Sequence, residues 1–140
     1  MAERTGPDVG PELRAERTGA RAGYARAALG RFGEDVAARR LVDDGFTVLA
    51  RNWRCELGEI DIVALKDGVL VVCEVKTRRS TAYGAPQEAV TRVKLGRLRR
   101  LAVRWLQEHE LRPDQVRVDV VAVTCPRSGG PQVHHLAGVA

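Results

Sequence analysis

The stretch from Gly58 to Lys76 reads GEIDIVALKDGVLVVCEVK, and the way it folds decides how the rest of the chain is read. Two apolar runs flank Asp67-Gly68, a pair suited to the positive φ that a two-residue type I′ turn demands at both central positions. With these two as the loop, Lys66 faces Val69 and Ile62 faces Cys73; continued outward, Asp61 faces Glu74 and Glu59 faces Lys76. Strand side chains alternate, so this register puts Glu59, Asp61, Glu74 and Lys76 on one face and Ile60, Ile62, Cys73 and Val75 on the other. Opposed carboxylates have Cβ atoms ~5 Å apart and repel. A proton, a neighbouring cation or a divalent metal would relieve them, and two convergent carboxylates suit Mg²⁺. One local event would undo this register: a bulge would move Asp61 off its partner.

An ordinary hairpin with a solvated charged face has the same pattern, and pattern alone favours it. Against it stands the mixture of side chains, since Val63, Leu70 and Val72 share the face with the carboxylates. Charges set among apolar residues are costly to bury without a use. The pattern leaves both readings open.

Outward from the hairpin, residues 27–44 read as a helix with Leu29, Phe32, Val36 and Leu41 as its apolar positions. Gly30, Gly33 and Ala37 fall on one side of it, which allows a close approach to a sheet. It should stop at Asp43-Asp44-Gly45. Phe46–Trp53, Glu59–Leu65, Val69–Thr77 and Val116–Thr124 read as strands. Pro86 suits the first turn of a second helix running to His109, with Val90, Val93, Leu98, Leu101, Ala102 and Trp105 as its stripe. The order α-β-β-β-α-β gives an α/β fold, a mixed sheet flanked by helices. Residues 1–25 are poor in large apolar side chains and read as a flexible extension. The domain proper spans 26–125, and 126–140, with Ser128-Gly129-Gly130-Pro131, reads as a loop and a loosely held end. The His134-His135 pair in that end is weak ground for a metal site.

One domain is expected from 140 residues, and 44% apolar content is enough for a core. The net charge of +5 suits a polyanionic partner. It is concentrated: from Lys76 to Trp105 nine basic residues stand against one acid, Glu88. Arg78, Arg79, Arg92 and Lys94 are the candidate nucleic-acid contacts, while Arg97, Arg99 and Arg100 taken singly read as a solvated helix face. Lys94 falls on the apolar stripe, where it is either a snorkelling lysine or a second cation reaching the carboxylates. Trp53 and Trp105 read as core, with Tyr83 left as a possible base-stacking exception and Gln87 as a weak candidate. Cys55, Cys73 and Cys125 have no CxxC spacing, so neither a disulfide framework nor a zinc site is expected. No signal peptide or membrane span is apparent, and the expectation is a cytoplasmic protein.

Gly58-Glu59-Ile60-Asp61, then Glu74-Val75-Lys76, preceded by Gly33-Glu34, resembles the PD-(D/E)XK nuclease superfamily. From Leu29 to about Val123 the chain looks most like the bacterial YraN-type proteins, near archaeal Holliday-junction resolvases. The resemblance implies a restriction-endonuclease-like α-β-β-β-α-β core. It makes Asp61 and Glu74 ligands of Mg²⁺ or Mn²⁺, with the carbonyl of Val75 completing the set. It makes Lys76 the group that orients water or steadies the phosphate, and Glu34 a further carboxylate. The proline that names the motif is absent; Gly58 and Glu59 occupy its region.

The implied activity is metal-dependent phosphodiester hydrolysis on DNA, branched or recombining DNA included, and a resolvase-like role would imply a homodimer. The rival readings are a catalytically silent nucleic-acid-binding module on the same basic surface and an adaptor whose basic helix meets an acidic protein.

Overall fold

A computed structural model describes residues 11–80 and 91–139. Its elements run α1 (Pro11–Asp43), β1 (Thr47–Cys55), β2 (Gly58–Lys66), β3 (Val69–Arg78), α2 (Arg92–His109), β4 (Gln115–Thr124) and β5 (Gln132–Leu136). The five strands form one sheet in the order β1-β2-β3-β4-β5. β3 and β4 are parallel, with α2 as their crossover, and every other neighbouring pair is antiparallel. This is the α/β, mixed-sheet arrangement expected from the sequence, with β5 added.

Each helix covers one face. Ala37 and Leu41 of α1 pack on Ile62, Ala64, Val71, Cys73, Val121 and Val123. Leu98, Leu101, Ala102 and Trp105 of α2 pack on Ile60, Val63, Leu70, Val72 and Val118. Alternation along β3 sends Val71 and Cys73 to α1 and Val72 to α2, as the two-residue period requires. The turn is as read: Asp67 and Gly68 both have positive φ, 51° and 76°, and Lys66 pairs with Val69. α1 ends at Asp43, and the amides of Asp44, Gly45 and Phe46 bond back to Arg40, Val42 and Leu41 carbonyls.

Several expectations are corrected. α1 starts at Pro11, well before 27. α2 starts at Arg92, where the Thr91 hydroxyl caps the helix by accepting from the Lys94 amide at 3.2 Å; Pro86, Val90, Tyr83 and Gln87 lie outside the described residues. Phe32 and Val93, read as core positions, are 48% and 72% exposed because their helices turn them away from the sheet. The end of the chain, expected to be loosely held, carries β5, paired to β4 from Val120–Leu136 to Thr124–Gln132.

Candidate active site

The hairpin register holds from Lys66–Val69 to Ile62–Cys73 and stops there. Beyond that point β2 continues to pair only with β1, down to Gly58, and β3 only with β4, up to Arg78. The two strands therefore part at Asp61 and Glu74 and leave a notch inside the sheet. The cause lies in β2: Ile60 packs on the α2 side while Ile62 packs on the α1 side, so the face alternation slips at Asp61. Asn52 on β1, beside this slip, adopts φ 52°. The expected Asp61–Glu74 and Glu59–Lys76 cross-strand pairs do not form, and Ile60 leaves the face assigned to it. Glu59 instead pairs with Arg54 at 2.9 Å.

The slip aims Asp61 into the notch, where its Oδ2 accepts the Val75 amide at 2.8 Å. A side chain thus takes the hydrogen that a partner strand would have accepted. Burial pushes the Asp61 carboxyl up to about 6; the Val75 amide opposes this, and the charges of Glu74, Glu34 and Glu59 add to it. Glu74, whose side chain is 15% exposed, meets Lys94 Nζ at 2.6 Å and Lys76 Nζ at 3.7 Å through the same Oε1. Lys76 is held below the usual lysine range, first by its contact with Lys94 and then by burial. Burial pulls Lys94 down most, but the bonds to Glu74 and Lys76 and the charges of Glu74 and Asp61 together hold it above that range. On the α2 side the notch opens into a cavity of about 270 Å³ lined by Asp61, Glu74, Lys94 and Arg97.

α1 reaches the same place from the other face. A Cβ on Gly33 would overlap the Thr77 side chain, so the helix backbone lies directly against the end of β3. That approach brings Glu34 near enough for its charge to raise Asp61, and Glu34 lines one cavity with Val75 and Lys76. Asp61, Glu74, Lys76, Lys94 and Glu34 are thus gathered at one end of the sheet. Arg78 and Arg79 follow on the same strand end, with Arg79 Nη1 donating to the Cys125 carbonyl at 3.4 Å. Arg92 opens α2 and is exposed.

Two carboxylates and the Val75 carbonyl are a hard oxygen set, and the raised Asp61 marks negative charge without full compensation. Both features fit a small divalent cation that keeps waters or a substrate phosphate in its remaining positions. Among the described residues no group of three His, Cys, Asp or Glu converges on one point, so the protein would supply part of a shell rather than a closed cage.

A second polar cluster escaped the sequence reading. Asp119 is fully buried in β4. It accepts from Arg117 Nε at 2.8 Å and Nη2 at 3.0 Å and from the Gly138 amide at 2.9 Å, and it bonds His135 Nε2 at 2.6 Å. Burial alone would raise its carboxyl, but the bonds to His135, Arg117 and Gly138 hold it below the usual range. The signal was present as a lone acid within the valine run of β4. Trp105 is core, as expected, and stacks on His109 at 4.0 Å. Cys55, Cys73 and Cys125 are all free. Among the described residues no helix is long and apolar enough to cross a membrane.

Residues 33–123 match the model of the uncharacterised protein family UPF0102. A UPF0102 protein of Nocardioides sp. is 53% identical over 87% of this chain and 98% of its own length. One from Kineococcus radiotolerans is 58% identical over 82% and 95%, and one from Streptomyces coelicolor 58% over 83% and 91%. The matched span contains both helix–sheet contacts and every residue of the notch, and with it the chain belongs to UPF0102, the YraN-type family of the PD-(D/E)XK superfamily.

Proposed function

We propose that the notch hydrolyses phosphodiesters in DNA with the help of Mg²⁺ or Mn²⁺. The observation that carries this reading is the break in the β2–β3 ladder. It holds a half-buried carboxylate, Asp61, in a site where Glu74 and two lysines meet. A purely structural hairpin would gain stability by continuing the ladder, and a purely cationic binding groove has no use for carboxylates facing a polyanion. Asp61, Glu74 and the Val75 carbonyl would hold the metal, which when bound polarises the phosphate and lowers the pKa of a bound water. Lys76 would bind a non-bridging phosphate oxygen. Lys94, held by Glu74 in the free protein, would turn to the phosphate once that carboxylate is engaged. Glu34 would accept a proton or a water hydrogen bond from the α1 side. Arg78, Arg79 and Arg92 would hold flanking phosphates.

The test is cleavage of labelled linear, flapped and four-way DNAs with Mg²⁺, with Mn²⁺ and with EDTA, beside Asp61→Ala and Glu74→Ala. Metal-dependent products from the wild type, absent in both variants, are expected. One observation favours the rival binding module: Lys94 already neutralises Glu74 at 2.6 Å. Salt-sensitive binding with no cleavage under either metal would establish that rival.

A further inference from the structure

A second and larger cavity, of about 620 Å³, lies on the α1 side of the end of β3, and Lys76 joins it to the proposed catalytic notch. Its size falls in the range of sites for small organic groups, roughly 300–1,000 Å³. Leu29, Gly30 and Val75 give it aliphatic surface, and the exposed Arg26 and Arg79 border it. Glu34 contributes a carboxylate acceptor. A cavity combining these features beside a phosphodiester site suits a nucleobase. Aliphatic walls take its faces, guanidinium groups stack on it or hold its phosphate, and a carboxylate accepts from an exocyclic amino group. A base inside a duplex is stacked and paired, and so cannot enter.

Gly30 adds a second, independent observation. A glycine inside a helix weakens it relative to alanine, and at Gly33 the weakness is explained by the contact with Thr77. At Gly30 a Cβ would meet nothing within 4 Å, so packing does not require the missing side chain. Gly23 on the same helix is equally open, but Gly30 is the one that lines the cavity, so a bulky side chain there would take up part of its space.

We infer that this cavity takes the base of one unpaired nucleotide beside the phosphate held at Lys76, so that the substrates are nucleic acids with an unpaired nucleotide at the cleavage point. The inference rests on the proposed function and names its substrate class. Binding in EDTA tests it without requiring turnover. The probes are a short labelled DNA single strand, a deoxyribose-phosphate chain of the same length lacking bases, and a blunt duplex. The proteins are wild type, Gly30→Leu and Arg26→Ala. The wild type should bind the strand with bases at least about tenfold more tightly than the base-free chain, the scale of one stacked base. Gly30→Leu, with a melting temperature no lower than wild type, should lose that preference and keep its duplex affinity. Arg26→Ala should weaken binding of the base-bearing strand more than binding of the base-free chain. Equal wild-type affinity for the two chains overturns the base cavity while leaving the nuclease reading intact, and it does so even if the leucine variant fails to fold. A folded Gly30→Leu that keeps the full preference overturns it as well. Failure of the wild type to bind any probe at low salt overturns both.

Discussion

Asp61 is where catalytic use and stability pull in opposite directions. Its carboxyl titrates near 6 in the folded protein against an ordinary 3.8, because burial and three neighbouring acids oppose its charge. The folded state therefore holds its proton more tightly than the unfolded chain. Stability from this group is lost as pH rises from 3.8 towards 6, and above that range the charge is a standing cost. Asn at this position keeps an oxygen for the Val75 amide and removes the charge. Asp61→Asn should therefore melt higher than wild type at neutral pH in EDTA, by about 1–3 kcal/mol of stability, while metal-dependent cleavage disappears. A variant that melted lower would show that the carboxylate is compensated in the metal-free protein. Lys76→Ala is the companion measurement for chemistry. A loss of about 10²-fold or more in kcat, on the scale of a lost oxyanion donor, is expected, and a folded variant cleaving at the parental rate would remove Lys76 from the reaction.

At the scale of elements, the two features that frame the site differ in how visible they are in sequence. The turn at Asp67-Gly68 and the alternation through Val69–Cys73 are local, and the register to Ile62–Cys73 follows from them. The slip at Asp61 does not follow, because it depends on β2 meeting α2 through Ile60 and α1 through Ile62. The five residues gathered at the site were still legible, four as an acid–acid–lysine pattern in the hairpin and a glutamate beside Gly33 on α1, and Lys94 as a lysine on the apolar stripe of α2. β5 was hidden for a related reason: its segment is short and polar, and its anchor is Asp119, thirteen residues before the strand begins. Asp119→Ala should cost about 2–4 kcal/mol in urea unfolding, because it strands Arg117 and His135, and β5 amides should exchange faster than those of β3. Its depressed carboxyl contributes stability above the ordinary carboxylate range that is lost as pH falls through the folded value. The variant's deficit should therefore shrink in acid. Gly33→Ala should cost about 1–3 kcal/mol by forcing α1 off Thr77. Thr77→Ala should recover part of that cost in a double-mutant cycle, and an additive result would refute the contact.

For the molecule as a whole, the sum of charges is a poor guide to the surface that would meet DNA, because ion pairs remove part of it. Of the nine basic residues between Lys76 and Trp105, Arg104 is engaged by both oxygens of Glu56, at 2.6 and 3.2 Å, and by Glu108 at 3.4 Å. Lys94 is held by Glu74. Arg92, Arg99 and Arg100 are exposed on α2, the helix that borders the notch through Lys94 and Arg97. Each phosphate neutralised lowers the logarithm of the binding constant by about 0.9 per decade of salt on duplex DNA, so the slope counts the cations in use. If about four to six contacts form, the slope should lie near −4 to −5. Arg99→Ala with Arg100→Ala should make it shallower by about 1–2. Arg104→Ala should leave it unchanged, because its charge is already spent on Glu56 and Glu108. A shallower slope from Arg104→Ala, with none from the Arg99 and Arg100 pair, would show that DNA displaces Glu56 and takes its contact at Arg104, two turns along α2 from Arg97 of the notch lining. Arg99 and Arg100 would then be a solvated helix face, and the phosphate path would run along the Arg97 side of α2, beside the notch.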